Sequence, residues 1–370
     1  MDTKTAGEPD QGTAIHIAAS GRAGEMWGLA FRIFFLNIVT ATIYRFWGTT
    51  AVRRYIWSHT TINGEPLEYR GKGSELLFGF LIVVLFIFAP LFGAFFAIQA
   101  FFPPTSPVFG LAMLALYLIL FFLFGLAIYR ALRYRLSRTA WRGIRFGLNG
   151  SAATFAAKFL GLLILNGMTL GWMTPVLDMF VMRRLSSNAV FGRTPFQFDG
   201  SAGRLYGPFA VTYILSIIGF VALGIVMFGI LRPLFEGLTP EDMQKPDFIL
   251  KVVPAYLIFF GGAIVLSVIV GSIYSAARLH AWAESMRFER LTFTTNITYG
   301  GLVGLIVTNA LLIVFTLGIA TPIAHMRGFK FILANVKAHG TVDLAKIEQA
   351  EKGTPRFGEG LADAFDIGGI

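Results

Sequence analysis

Four stretches of the chain run without Asp, Glu, Lys or Arg for the length of a membrane crossing: 77–102, 108–129, 205–231 and 252–277. A bilayer's hydrocarbon core takes roughly 20 apolar residues per helix, so each stretch suffices for one span. The first two belong to a single uncharged run of 54 residues, 76–129, broken only by Pro103-Pro104-Thr105-Ser106-Pro107, a turn too rich in proline to continue a helix. Two transmembrane hairpins are therefore expected, over 76–130 and 205–278. Three weaker apolar modules lie before, between and after them. These are 26–47, interrupted by Arg32 and Arg45; 154–182, containing Lys158 and Asp178; and 291–326, with no Asp, Glu, Lys or Arg.

Charge decides sidedness. Arg130, Arg133, Arg135, Arg138, Arg142 and Arg145 follow the second stretch with no acid among them, whereas the loop 232–251 has a net charge of −1. The positive-inside rule puts both hairpin bases in the cytoplasm and both tips, at Thr105 and Glu241, outside. Each weaker module has basic residues at both ends, and a single crossing would carry one end to the wrong side. The rule favours modules that dip into the bilayer and return as broken or re-entrant helices; three single crossings are the alternative.

The modules also resemble one another. Thr169-Leu170-Gly171 followed by Thr174-Pro175 recurs as Thr316-Leu317-Gly318 followed by Thr321-Pro322, and in degenerate form as Thr40-Ala41-Thr42 followed by Arg45-Phe46. Asn37, Asn166 and Asn309 stand upstream on the same helix face. Tyr129, Arg133, Arg142 and Arg145 match Tyr274, Arg278, Arg287 and Arg290 at a shift of 145. Short alternating pairs flank each module (Ile15/Ile17, Leu67/Tyr69, Phe146/Leu148, Phe196/Phe198, Leu291/Phe293 and Val342/Leu344), as small strands would. The expected fold is an all-α polytopic membrane protein: three broken-helix modules in an internal repeat (21–72, 138–204, 285–346) alternate with two transmembrane hairpins. Small cytoplasmic β elements join it, and tails over 1–20, cytoplasmic and disordered, and 347–370, flexible, complete the chain.

Composition agrees. Charged residues make up 14% of the chain and hydrophobic ones 55%, against about 25% charged in soluble domains. The net charge of +10 suits positive-inside flanks and anionic lipid headgroups better than nucleic acid, since Trp141 and Trp282 fit an interfacial belt. With no cysteine, disulfides, thiolate metal sites and cysteine nucleophiles are excluded. No basic n-region leads into an apolar stretch within the first 25 residues, so no cleaved signal peptide is expected.

Leu36-Asn37, Thr40, Phe46-Trp47, Arg53-Arg54-Tyr55, Ser58-His59-Thr60 and the run 64–71 resemble the YjgN-like family of bacterial inner-membrane proteins, and Trp141-Arg142-Gly143-Ile144-Arg145-Phe146 is its most recognisable segment. The resemblance extends over roughly 21–343. It implies a multi-pass protein of the bacterial inner membrane, with the N-terminus placed in the cytoplasm by charge, and supplies no catalytic residues. Thr42 and Phe46 depart from a pattern that favours Gly and Pro, which bears on the sharpness of the first break.

Catalytic constellations are missing: there is no phosphate loop, no HExxH, and no pair of histidines four apart. Neither enzymatic activity nor a cofactor or metal is expected. His325 is the one histidine near the membrane, and an interfacial helix-end role is its plainer reading. Asn37, Thr40, Asn166, Thr169, Asp178, Asn309 and Thr316 are candidates for a substrate path or for helix packing. Broken helices expose carbonyls and hydroxyls at membrane depth, as in transporters, yet the same groups hydrogen-bond between helices. Arg133, Arg142, Arg145, Arg278, Arg287 and Arg290 are candidates for lipid phosphate, with plain topology determination beside that reading. A permease or channel for a small solute or lipid is thus weighed against a non-catalytic scaffold or lipid-interacting protein.

Overall fold

Each of the three weaker modules is two helices joined by a reversal. In the computed structural model, which describes residues 13–236, 245–343 and 347, these pairs are α1 (Ala23–Val39) with α2 (Arg45–Ser58), α6 (Ala152–Met168) with α7 (Thr174–Ser187), and α10 (Tyr299–Phe315) with α11 (Thr321–Asn335). Between them lie α3 (Gly73–Val83), α4 (Ala89–Phe101), α5 (Pro107–Ser137), α8 (Gly203–Phe235) and α9 (Pro246–Ser285). A π-helical turn, Val84–Phe88, joins α3 to α4. It sits just before Pro90, whose ring would otherwise press on the carbonyl four residues back.

Among the described residues, four helices are long and apolar enough to cross a membrane: Gly73–Phe101, Pro107–Ser137, Gly203–Phe235 and Leu250–Ser285. They outrun the uncharged stretches because helix continues through the arginines that follow, as at Arg130, Arg133 and Arg135 in α5. Pro107 and the Ser106 hydroxyl, which accepts from Val108 N at 3.2 Å, start α5 sharply after the proline turn.

The chain divides into two compact units, 1–200 with 282–295 and 312–370, and 201–281 with 296–311. In the second unit, small residues meet large ones reciprocally. A Cβ on Gly219 would stand 2.5 Å from Leu266, and one on Gly262 2.7 Å from Leu223, so α8 and α9 approach closely at both places. Tyr299 of α10 donates to the Ile269 carbonyl at 2.8 Å.

The first unit contains all the described strands: β1 (Thr13–Ala14), β2 (Ile17–Ala19), β3 (Thr60–Ile62), β4 (Glu65–Pro66), β5 (Glu68–Tyr69), β6 (Thr139–Trp141), β7 (Ile144–Leu148), β8 (Ala189–Phe191), β9 (Thr194–Pro195), β10 (Gln197–Phe198), β11 (Met286–Phe288), β12 (Leu291–Thr295), β13 (Val336–His339) and β14 (Thr341–Val342). Antiparallel pairing ties the two ends of every helical excursion together. Strands β2 and β3 bracket α1–α2, β5 and β6 bracket α3–α5, β7 and β8 bracket α6–α7, β10 and β11 bracket α8–α9, and β12 and β13 bracket α10–α11. With β1 on β14, the strands close a circuit, each sheet passing into the next along the chain. Residues beside the turns fill its middle: Trp141, Phe191, Phe288, Leu291 and Val342 are buried there, with Ile62, Leu67 and Phe196 packed against them. Each such side chain contributes about 1.5–3 kcal/mol by leaving water.

The expected tails need correction at their inner ends. Residues 13–19, placed in a disordered segment by composition, pair with β14 and β3, and Ile347 is buried in the strand core. Residues 1–12, Glu241, Leu344 and 348–370 lie outside the described residues.

The reversals themselves are alike. Ala41 and Thr42, Leu170 and Gly171, and Leu317 and Gly318 all have positive φ, between 47° and 90°. The first break is therefore formed like the others, with Thr42 adopting the conformation Gly171 and Gly318 adopt. Left-handed backbone costs a residue with a side chain about 1–2 kcal/mol. Gly318, at φ +87 with nothing within 4 Å of a Cβ, isolates this term from sterics. Gly318→Ala is expected to lower stability by about 1–2 kcal/mol, read as a lower thermal midpoint in detergent. Gly167→Ala, in open space inside α6, should be neutral or stabilising by up to about 1 kcal/mol.

Candidate functional site

The threonine at each reversal bridges the two helices it separates. Thr40, Thr169 and Thr316 donate their hydroxyls to the carbonyls of Leu36, Leu165 and Leu312 at 2.6, 2.9 and 2.7 Å. The same oxygens accept from the backbone N–H of Tyr44, Met173 and Ala320 at 2.9, 3.3 and 3.1 Å. Backbone bonds complete each turn: Thr42, Gly171 and Gly318 donate to the carbonyls of Asn37, Asn166 and Ile313 at 2.6, 2.7 and 2.8 Å. The hydroxyls of Thr174 and Thr321 bond the Gly171 and Gly318 carbonyls, both at 2.7 Å. Pro175 and Pro322, near the start of α7 and α11, need no donor there.

The first pair differs at one place. Where Thr174 donates to Asn166 Oδ1 at 3.2 Å, the first pair has Arg45, and Asn37 Oδ1 is buried with no partner. Arg45 lies over the Phe46 and Phe80 rings, 4.9 Å from each centroid. Beside Asn37 opens a cleft of about 320 Å³ between α1, α2 and the beginning of α11. Ile33, Phe34 and Val52 give it apolar walls, and Asn37, Arg45, Thr49, Thr321 and His325 give it polar groups. A Cβ on Gly48 would stand 2.9 Å from Ile33 Cγ2, so the glycine permits the close approach of α1 and α2 behind the cleft. A cationic fork, a hydroxyl or two and an unfilled amide acceptor make a set suited to a small polar solute.

Of the residues expected on a substrate path, the cleft gathers Asn37 alone. Thr40, Thr169 and Thr316 spend their hydroxyls within their own turns, and Asn166 has Thr174. Asp178 is half-buried on α7, and Asn309 is half-buried on α10. Sequence reading overlooked Arg45 and Thr49; the signal available was Arg45 standing where the other two reversals have threonine.

The arginines expected at lipid phosphate are largely engaged with the protein. Arg133 donates through Nε to the Leu148 carbonyl at 2.9 Å and through Nη2 to the Gly150 carbonyl, with its guanidinium over Tyr129. Arg142, on the β6–β7 turn, forks onto both oxygens of Glu65 at 2.8 Å. Arg287 meets Asp199 at 2.8 Å, and Arg278 lies over the Tyr274 ring. Arg145 lies opposite Ala140 in the β6–β7 register, and Arg290 sits at the β11–β12 turn.

The hydrogen bonds from Arg142 hold the Glu65 carboxyl below its ordinary value of 4.5. A depressed folded-state value means the pair adds stability above the unfolded value and loses it as pH falls through the folded one. Glu65→Gln should remove this component. Wild type and variant are expected to melt apart at neutral pH and to converge in acid, in thermal scans across a pH series.

Four helices long and apolar enough to cross a membrane make this a helical membrane protein. The chain belongs to the family described as bacterial protein of unknown function (DUF898), whose profile matches residues 16–364. It is 24% identical over 364 residues to a protein of Escherichia coli O157:H7 named Inner membrane protein YjgN, covering 86% of this chain and 88% of that one. The protein of the same name from Escherichia coli K12 is 24% identical over 366 residues, with the same coverages. That of Salmonella typhimurium LT2 is 21% identical over 392 residues, covering 90% of each. No solved structure matches the chain.

Proposed function

We propose that this chain is a multi-pass inner-membrane permease for a small solute, with its N-terminus and strand circuit in the cytoplasm. In this reading the three helical pairs are copies of one re-entrant unit, alternating with two transmembrane hairpins. The relatives' names support the membrane. The dipping of the pairs is supported by the apolar side chains at their reversals: Val39 is 80% exposed, Leu170 80% and Leu317 85%, values suited to contact with lipid rather than water. Strand pairing at both ends of each pair supports a return to the side of origin.

The observation that carries the solute reading is the orphaned amide oxygen of Asn37 on the cleft wall. A buried acceptor without a donor costs about 1–3 kcal/mol, and a solute bearing an O–H or N–H group would relieve that while its anionic end meets Arg45. The scaffold reading is favoured by a different observation, the local satisfaction of all three turn hydroxyls.

A panel of small hydroxy- and amino-carboxylates, screened by thermal shift on the full chain and then by counterflow in proteoliposomes, tests the proposal. At least one compound should raise the midpoint of the wild type and exchange across the membrane. Asn37→Leu should fold at least as stably, since it removes the unfilled acceptor, but lose both responses. A responding compound whose effect survives Asn37→Leu would rule out this cleft, and absence of any response would favour the scaffold.

A further inference from the structure

On the opposite side of α2 from Asn37 lies a second cleft, of about 440 Å³, lined by Arg32 of α1, Arg54 of α2, Lys72 and the first residues of α3. Three cations from three places in the sequence converge there, and among the described residues no carboxylate lines the space. Among the described residues, Arg54 reaches the Gly71 carbonyl alone, at 3.4 Å, and Arg32 and Lys72 form no ion pair. The nearest acid in sequence, Glu75, is already held by Arg138 at 2.8 Å and by the Tyr134 hydroxyl at 2.5 Å. It cannot neutralise the cluster without breaking that arrangement.

Like charges gathered around a hollow repel one another, and of the three, among the described residues, Arg54 alone bonds a neighbouring segment. The second helical pair makes the point. At the offset of 129 that carries Gly71 to Gly200, Arg54 corresponds to Arg183, which donates to the Gly200 carbonyl at 2.6 Å as Arg54 does to that of Gly71. Arg32 and Lys72 correspond to Gly161 and Ser201, so the second pair keeps the arginine-to-carbonyl bond but has neither of the two extra cations at the matching positions.

The rest of the cleft suits a phosphate. Gly73 and Ser74, at the start of α3, form one wall, and no side chain caps that helix end. A Cβ on Gly73 would stand 2.8 Å from Trp47 Cα, so only glycine lets the helix end sit this close to α2. Tyr44 and Trp47 stack across the other wall with ring centroids 6.4 Å apart. Exposed apolar residues, Ile43 at 51% and Phe78 at 61%, stand next to it in sequence.

We propose that this cleft binds an anionic phosphate group, mono- or diester, through Arg32, Arg54 and Lys72, whether borne by a lipid or free. The site is separate from the solute cleft, and either proposal can fail without the other.

The test uses the full chain, delipidated in detergent, with its thermal midpoint followed on adding phosphatidylglycerol, phosphatidylcholine or inorganic phosphate. Phosphatidylglycerol should raise the midpoint and the zwitterionic phosphatidylcholine should not. Arg32→Gln with Lys72→Gln should raise the half-saturating concentration by about tenfold or more, while Lys337→Gln, a cation on β13, leaves it unchanged. A response to inorganic phosphate with the same variant dependence would assign the site to a free phosphate compound. Should the double variant fail to fold, Ser74→Asp serves: a carboxylate suits a helix N-terminus but repels phosphate, so the folded variant should lose the response. Equal responses in wild type and the cleft variants, or no response to either phosphate, would overturn the proposal.

Discussion

Reversing a helix frees backbone donors and acceptors at the bend, and away from water these must find partners within the protein. In this chain one threonine hydroxyl meets that demand at each reversal, accepting from the helix that begins and donating to the helix that ends. The two left-handed residues after it turn the chain through a bend that backbone hydrogen bonds then close. Because each bend is satisfied internally, its outer surface is free to be wholly apolar, with leucine at the left-handed position in two of the three reversals. Without the threonine hydroxyl the N–H of Tyr44, Met173 or Ala320 would lose its acceptor, while the carbonyl keeps the backbone N–H it also accepts.

The strands follow from the same geometry. Helices that leave and return deliver both their ends to one place, where short antiparallel pairs join them and aromatic residues beside the turns form a common core. The fold thereby ties the two ends of each helical pair together, and the two clefts lie beside α2. Function is read where the pattern of the bend is broken. Arg45 replaces a threonine, so Asn37 loses the donor that Asn166 has, and the cleft beside it gains a cation.

Much of this was legible in the amino-acid sequence. The uncharged runs placed the long helices, since burial in lipid leaves a composition that no soluble packing imitates. Thr169-Leu170-Gly171 and Thr316-Leu317-Gly318 marked the bends because glycine and proline act locally. The bend at Thr40-Ala41-Thr42 was obscured, since its left-handed positions are occupied by alanine and threonine and held by hydrogen bonds rather than by residue preference. Residues 13–19 carried two competing readings, a strand signal at Ile15/Ile17 and a tail by composition, and the strand pairing decides for the first. The arginines were weighed between lipid phosphate and topology determination, and sequence could not disclose that Arg133, Arg142 and Arg287 bond carbonyls and acids distant in sequence. The clefts were out of reach for the same reason, each being assembled from segments brought together only by folding.

The central claim is that a helical pair begins and ends on one side of the membrane. Single-cysteine labelling with an impermeant maleimide tests it most directly, in a chain that has no cysteine of its own. Cysteines replacing Arg142 and Arg193, on either side of α6–α7, should label from the same face, and one replacing Thr105 should label from the other. Labelling of positions 142 and 193 from opposite faces would mean that the pair crosses once, and would contradict the account.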